Sequence, residues 1–208
     1  MPYSPLLRVA YLGRNRCSVL LAALCLFILA YPLADSRVGI TVLNVCMLAI
    51  MVLAVWALRV HRLLLWLVIV LATVTAGIVV AGRLGGFLLR TAVLTTTAAC
   101  IGAVTVALLF YVLDRHPITV DKVFGAVAAY VLIGFTFASV FELLQFVQPH
   151  AFHVATTHEP DGHLGWHDML YFSLTVLTTT GFGEITAVTT AARSLIVIEQ
   201  VLARISQT

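Results

Sequence analysis

Long apolar stretches separated by short polar links dominate the chain. Six of them have about the length that a helix needs to cross a bilayer. They lie at about Cys17–Leu33, Val38–Leu58, Leu63–Gly82, Thr91–Leu113, Val123–Val147 and Thr189–Ser206. A further apolar segment, about Trp166–Thr178, is too short to span and is expected to be a re-entrant helix. The pattern predicts an all-α membrane protein with six transmembrane helices and one re-entrant helix.

The composition favours a membrane protein surrounded by lipid. Apolar residues make up 62% of the 208 residues and charged residues 10%, whereas a soluble chain carries about 25% charge. The net charge is only +3, and the basic residues are scattered near the ends of the stretches, which argues against nucleic-acid binding. A signal peptide is the alternative for the first stretch, because Arg14 and Arg16 precede its apolar core.

The basic residues predict an orientation. If every stretch crosses, one side of the membrane holds Arg8, Arg14, Arg16, Arg59, Arg62, Arg115, Lys122 and the near-terminal Arg204. The opposite side holds Arg37, Arg83, Arg90 and Arg193. The positive-inside rule then predicts that both termini lie in the cytoplasm. We expect a multi-pass protein of the plasma membrane, the bacterial inner membrane. The link from about Gln148 to Gly165 is then expected outside.

A break at Asp114–Pro117 divides the chain, because charge, a proline and a loss of hydrophobicity coincide there. This predicts a four-span region at residues 1–115 and a helix–loop–helix region at residues 116–208. The fourth stretch has no basic residue between Thr91 and Leu113. The membrane potential therefore has little charge to move in it, which argues against voltage sensing by an arginine ladder.

A motif rich in threonine and glycine, Thr178-Thr179-Thr180-Gly181-Phe182-Gly183-Glu184, precedes the last stretch. Gly181 and Gly183 stand at alternate positions, and glycine adopts backbone angles that a Cβ disfavours. Successive carbonyls can then turn toward one axis, where rings of carbonyls replace the water around K⁺. Thr179 is expected to add a hydroxyl oxygen, and Phe182 to point outward and wedge the loop. A simple turn joining two helices is the alternative.

Together with the segment before it, the motif resembles the potassium channel pore module, specifically the two-helix-pore ion channel family. Tyr171-Phe172-Ser173-Leu174-Thr175-Val176-Leu177 matches the pore helix, Thr178 to Glu184 the selectivity filter, and Arg193 the start of the inner helix. The resemblance covers about Val120–Gln200. The chain resembles a bacterial-type six-span member of this family without a voltage-sensor arginine ladder. Thr180 stands where Val or Ile is usual, Phe182 replaces the commoner Tyr, and Ala187 stands where Pro is frequent.

The resemblance implies a potassium-selective channel subunit that conducts K⁺ passively. Since one chain supplies a quarter of the filter, it implies a homotetramer, with K⁺ as the permeant ion, no cofactor and no catalytic chemistry. Thr179, Thr180, Gly181, Phe182 and Gly183 would bind K⁺. The last stretch is short for an inner helix, at about 18–20 residues or roughly 30 Å, so we expect either a truncated chain or a short gate.

Several polar residues are expected to support the filter, among them Thr178. In similar channels the acid after the filter is tied to polar groups behind it, so Glu184 is expected to accept a hydrogen bond from Tyr171, with Thr175 or Trp166 as further donors. A solvated carboxylate at the pore mouth is the alternative for Glu184.

Two acids lie inside apolar stretches, where an unpaired carboxylate is costly. Glu142 is expected to bond the backbone near the pore helix or the start of the inner helix. Glu199 either joins a ring of four carboxylates in the cavity or makes a buried contact, and the sequence leaves both open.

Five of the seven histidines are expected in the outer link: His150, His153, His158, His163 and His167. They are candidates for Zn²⁺ binding or for sensing a pH near 6. Glu159, Asp161 and Gly162 are typical of a solvated turn and favour an exposed link instead. The alternatives to a channel are a metal-dependent membrane enzyme built on these histidines and a potassium transporter subunit with a degenerate filter, although such transporters usually repeat the pore module four times.

Overall fold

The computed structural model describes residues 16–30, 37–58, 86–113, 119–155 and 164–207. This part of the chain is mostly helical. Its helices are α1 (Arg16–Leu29), α2 (Arg37–Leu58), α3 (Phe87–Leu113), α4 (Val120–Val147), α5 (Trp166–Leu177) and α6 (Thr190–Gln207). Its strands are β1 (Phe152–Val154) and β2 (Ile185–Ala187).

Among the described residues, two helices are long and apolar enough to cross a membrane, α3 with 27 residues and α4 with 28. Helix α1 and the segment Val45–Val55 of α2 are apolar but shorter. The predicted span Leu63–Gly82 lies outside the described residues. The helical membrane fold is therefore supported with two candidate spans, and the count of six remains a prediction.

Helix α4 begins earlier than the hydrophobic pattern predicts, at Val120 instead of Val123. The carbonyl of Thr119 accepts hydrogen bonds from the N–H groups of Lys122 and Val123, at 3.0 and 3.3 Å. The Thr119 hydroxyl also accepts a hydrogen bond from the main-chain N–H of Lys122, at 3.4 Å. Thr119 thus caps the first turn of α4. Asp121 and Lys122 of this turn are charged, so an apolar pattern begins only after them.

A short antiparallel sheet departs from the all-α prediction. Strand β1 pairs with β2, with Phe152 opposite Ala187 and Val154 opposite Ile185. Part of the outer link, expected as an exposed turn, is therefore structured, and both Ala151 and Phe152 are buried. Three-residue strands are too short for an alternating pattern to be recognised in the sequence.

The described residues fall into two compact units. One takes its residues from 1–72 and 103–131, and the other from 73–102 and 132–208. Helices α3 and α4 contribute residues to both. The predicted boundary at Asp114–Pro117 lies outside the described residues.

In the first unit, Asp121 of α4 anchors the start of α1. Its carboxylate accepts the N–H of Cys17 at 2.9 Å and the hydroxyl of Tyr111 at 3.3 Å. The first N–H groups of a helix have no partner inside the helix, so an external carboxylate stabilises this end.

In the second unit, a cluster of aromatic rings joins α4, β1 and α5. The Phe141 ring centroid lies 5.3 Å from that of Phe152 and 5.6 Å from that of Phe172. The indole N–H of Trp166 donates to the Ser139 hydroxyl at 3.0 Å. These contacts fix α5, the short helix before the threonine–glycine motif, against α4.

Candidate functional site

Helix α5 ends directly at the motif. It begins after Gly165, whose N–H donates to the Asp168 carboxylate at 2.8 Å. It ends at Leu177, and the N–H of Thr178 still donates to the Leu174 carbonyl at 3.0 Å. The C-terminal end of a helix carries a partial negative charge, which favours a cation next to residues 178–184.

The N–H groups of the motif turn back toward α5. Those of Thr180 and Gly181 both donate to the carbonyl of Thr175, at 2.9 and 3.2 Å, and that of Thr179 donates to Val176 at 3.0 Å. Within the described part of the chain, no group donates to the carbonyls of residues 178–183. Residues 178–183 are exposed in the single chain, so their carbonyls are accessible to water and could instead coordinate a desolvated cation.

The backbone of the motif is left-handed at every second residue. The φ angles are 60° at Thr179, 53° at Gly181 and 83° at Gly183. The sequence predicted this alternation only at the two glycines. Thr179 extends it by one residue although its side chain is β-branched, at a cost on the order of 1–3 kcal/mol.

The threonine hydroxyls at the start of the motif bond to one another. Thr178 Oγ1 donates to the Leu174 carbonyl at 2.8 Å and lies 3.0 Å from Thr180 Oγ1. Since the Thr178 hydrogen is engaged, Thr180 is the donor in the second contact. The hydroxyl that replaces the usual Val or Ile side chain thus finds its partner within the motif.

Tyr171 of α5 contacts two residues of the motif, Phe182 and Glu184. Its hydroxyl donates to Glu184 Oε2 at 3.0 Å, and its ring lies parallel to that of Phe182, with the centroids 6.3 Å apart. Partial desolvation and the bond to Glu184 raise the pKa of Tyr171, so the hydroxyl keeps its hydrogen at physiological pH. The side chain joins the end of the motif to the helix behind it.

The other two expected donors to Glu184 have different acceptors. The Thr175 hydroxyl donates to the Phe172 carbonyl at 2.7 Å, and the Trp166 indole donates to Ser139. Thr175 instead supports the motif through its main-chain carbonyl. Sequence reasoning missed this role, because a main-chain group has no signature in the residue type.

The sheet holds the chain that follows the motif. The Glu184 carbonyl accepts the N–H of Ala155 at 2.7 Å, and the N–H of Val188 donates to the Ala151 carbonyl at 2.9 Å. Farther on, Arg193 Nε donates to the Ala187 carbonyl at 3.3 Å. The outer link is thus bonded directly to the outer end of the motif.

We expected Glu142 to bond the backbone near the pore helix or the start of the inner helix. The described residues contain no such bond. Among the described residues Glu142 has no hydrogen-bond partner, and its electrostatic partner is Arg90 of α3. The Arg90 guanidinium carbon lies 4.8 Å from the centroid of the Phe146 ring. The partner was not predictable because it comes from a helix far away in sequence.

The five histidines do not share one loop. His167 belongs to α5, His153 lies exposed in β1, and His150 has a left-handed backbone with φ 70°. His158 and His163 lie outside the described residues. In the described ranges, no three His, Cys, Asp or Glu side chains form a group that could hold a metal ion.

Glu199 of α6 is fully buried and hydrogen bonds with Ser173 of α5. Of the two alternatives for this acid, the structure therefore favours the buried contact over exposure in a cavity.

Residues 130–204 match the model of a protein family described as ion channel. The match runs from α4 into α6 and includes α5, the motif and β2. It confirms the resemblance to an ion channel pore module. Comparison with curated proteins and with solved structures finds no match.

Proposed function

We propose that this chain, which carries the pore module of the ion channel family at residues 130–204, is a potassium-selective channel subunit of the plasma membrane. The observation that carries the proposal is the motif backbone. It is left-handed at Thr179, Gly181 and Gly183, and the carbonyls of residues 178–183 receive no hydrogen bond from the described residues. Such a strand offers oxygens in series to a dehydrated cation, as a selectivity filter requires.

The pore is proposed to be a homotetramer, because potassium filters are built from four such loops. Exposed apolar side chains on one chain support assembly. Phe182 is 66% exposed in the motif, and Val197 and Val201 of α6 are 56% and 52% exposed. Val197 and Val201 are four residues apart and therefore share one face of α6, and an exposed apolar face is suited to a cover. Neighbouring copies and lipid would supply it.

Conduction then rests on positioning and electrostatics alone. The carbonyls of Thr179 to Gly183 replace the water that K⁺ loses, and the C-terminal end of α5 stabilises the cation. The Thr179 hydroxyl adds an oxygen at the inner end, and the Glu184 carboxylates attract cations to the outer mouth. The filter would lie near the outer surface, with both termini of the chain in the cytoplasm.

Ion flux into liposomes reconstituted with the full chain tests the proposal. We expect K⁺ uptake to exceed Na⁺ uptake by at least about tenfold under equal gradients, with protein-free liposomes as the blank. Equal uptake of the two ions would overturn potassium selectivity. Uptake of K⁺ against its electrochemical gradient would favour the transporter alternative, because a passive pore cannot perform it.

The channel is expected to lack steep voltage dependence. Helix α3 has a basic residue, Arg90, only in its first turn, and none between Thr91 and Leu113. One elementary charge crossing the field contributes about 2.3 kcal/mol per 100 mV, so a helix without charges contributes little. Patch recordings over a range of voltages measure the gating charge. A value of several elementary charges would contradict the expectation.

Thr180→Val is expected to leave selectivity nearly unchanged. The substitution keeps the β-branched shape and removes only the hydroxyl that bonds Thr178. Thr178 retains its bond to the Leu174 carbonyl, so no group in the motif loses its last partner. The ratio of K⁺ to Na⁺ uptake should stay within about fivefold, since one neutral hydrogen bond contributes about 1 kcal/mol in net terms, and about 1.4 kcal/mol is needed for a tenfold change. Loss of selectivity would mean that the Thr180 hydroxyl itself shapes the ion path.

A further inference from the structure

Glu199 is a buried acid in a mostly apolar stretch of α6. Its side chain is 0% exposed, while the preceding Val197 and Ile198 are 56% and 50% exposed. One carboxyl oxygen contacts the Ser173 hydroxyl, and the other, also buried, has no hydrogen-bond partner among the described residues. A carboxyl group in such surroundings is costly unless it is satisfied, so its bond to α5 is an important constraint on α6.

Ser173 connects three helices. Its hydroxyl, itself 0% exposed, donates to the Gly134 carbonyl of α4 at 2.9 Å and also hydrogen bonds with Glu199 of α6. Gly134 allows the close approach, because a Cβ there would lie 2.8 Å from a methyl carbon of Leu174. We call this group of three hydrogen-bonded residues the Ser173 junction: Gly134, Ser173 and Glu199.

The junction lies two residues before the group that holds the motif. The Thr175 carbonyl accepts the N–H groups of both Thr180 and Gly181. A helix turn is rigid over so short a distance, so a shift of Ser173 displaces the Thr175 carbonyl with it. The carbonyls that would face the ion then move, because they belong to the same peptide units as those N–H groups or to adjacent ones.

We propose that Glu199 is a positioning residue for the filter: through Ser173 it fixes α5 against α6, so that a displacement of α6 is transmitted to the Thr175 carbonyl and to the filter backbone. This proposal rests on the proposed channel function. It requires a continuous physical connection between two elements. The Glu199–Ser173 hydrogen bond, the helix turn from Ser173 to Thr175 and the hydrogen bonds that the Thr175 carbonyl accepts provide it.

The test compares Ser173→Ala, Glu199→Leu and their combination with the wild type. Glu199→Gln is the conservative variant, because its amide both accepts and donates and so satisfies the junction whichever partner gives the hydrogen. Ser194→Ala is the matched control, since within the described ranges the Ser194 hydroxyl bonds only the Thr190 carbonyl of its own helix. Recordings of the full chain in liposomes report the inactivation rate and the permeability to Na⁺ relative to K⁺.

We expect Ser173→Ala and Glu199→Leu each to change the inactivation rate or relative Na⁺ permeability by at least about threefold, and the combination to be no worse than the more severe single variant. Glu199→Gln and Ser194→Ala should resemble the wild type. If Glu199→Gln behaves like Glu199→Leu, the carboxylate acts by its charge and the positioning role is wrong. If the variants lower only the amount of assembled protein, the junction is merely structural and the proposal is again wrong.

Amide hydrogen exchange separates failure of this proposal from failure of the channel function. Exchange at Thr180 and Gly181 requires no conduction, and it should accelerate at least about threefold in Ser173→Ala and Glu199→Leu but not in Ser194→Ala. A wild type that fails to conduct while these amides respond would overturn the proposed function and leave the junction standing. Unchanged exchange in a conducting protein would overturn the junction alone.

Discussion

Replacing Gly181 by Ala is expected to reduce selective K⁺ uptake by at least about tenfold. Gly181 has φ 53°, and no atom lies within 4 Å of the position of an added Cβ. The penalty therefore comes from the backbone and not from a clash in the single chain. A left-handed backbone costs a residue with a Cβ roughly 1–2 kcal/mol, and four copies of the loop would carry that cost together. Relaxation of this strained backbone would rotate the carbonyls of the motif away from their common axis.

Gly86→Ala is the matched control, because Gly86 also has open space around it but no left-handed φ angle. Uptake of K⁺ and Na⁺ should be measured in liposomes that contain equal amounts of assembled protein. Equal selectivity in Gly181→Ala and Gly86→Ala would refute the assignment of this loop as the filter. Gly183→Ala, at φ 83°, is expected to repeat the loss.

The helices nearest the motif were predictable because the residue types change where each helix begins and ends. Hydrophobic patterning predicts the pore helix at Trp166–Thr178, and α5 spans Trp166–Leu177. It predicts the inner helix from Thr189, and α6 begins at Thr190. The left-handed glycines were predictable for the same reason, since glycine alone adopts that backbone at little cost.

The supports of the motif were harder to predict because they depend on helix rotation and on main-chain groups. Whether Glu199 meets Ser173 or a cavity is decided by the angle at which α6 faces α5, which a sequence pattern does not specify. The pairing of Ala155 with the Glu184 carbonyl joins two segments that are far apart in sequence. The left-handed Thr179 contradicts its own local preference, so it is held by its surroundings.

The motif is held differently at its two ends. We therefore expect K⁺ selectivity and the time for which the filter stays conducting to depend on different supports. At the inner end, the Thr175 carbonyl accepts two main-chain N–H groups, which no substitution in the motif other than proline removes. At the outer end, the support includes the side-chain bond between Tyr171 and Glu184, which lies on the exposed surface of the chain. We expect the outer end to be the one that yields first when the filter stops conducting.

Tyr171→Phe is therefore expected to accelerate inactivation by about threefold or more while K⁺ selectivity persists at the start of each opening. The substitution keeps the ring that stacks on Phe182 and removes only the hydroxyl that donates to Glu184. A hydrogen bond to a charged group contributes about 1.5–3 kcal/mol, less when it is exposed. Tyr111→Phe is the matched control, because it removes the same kind of bond, to Asp121, from the other unit of the chain.

The role of Glu184 is decided by combining Tyr171→Phe with Glu184→Gln in a double-mutant cycle. Glu184→Gln keeps the shape and an acceptor oxygen but loses the charge, so a purely structural acceptor role survives in part. If the bond braces the filter, both changes speed inactivation and the double variant is no worse than the more severe single one, because each removes the same interaction. Additive effects would mean that Glu184 acts as a solvated carboxylate that attracts K⁺ to the mouth of the pore. In that case Glu184→Gln would lower conductance most at low salt, where charges are least screened, and Tyr171→Phe would leave conductance unchanged.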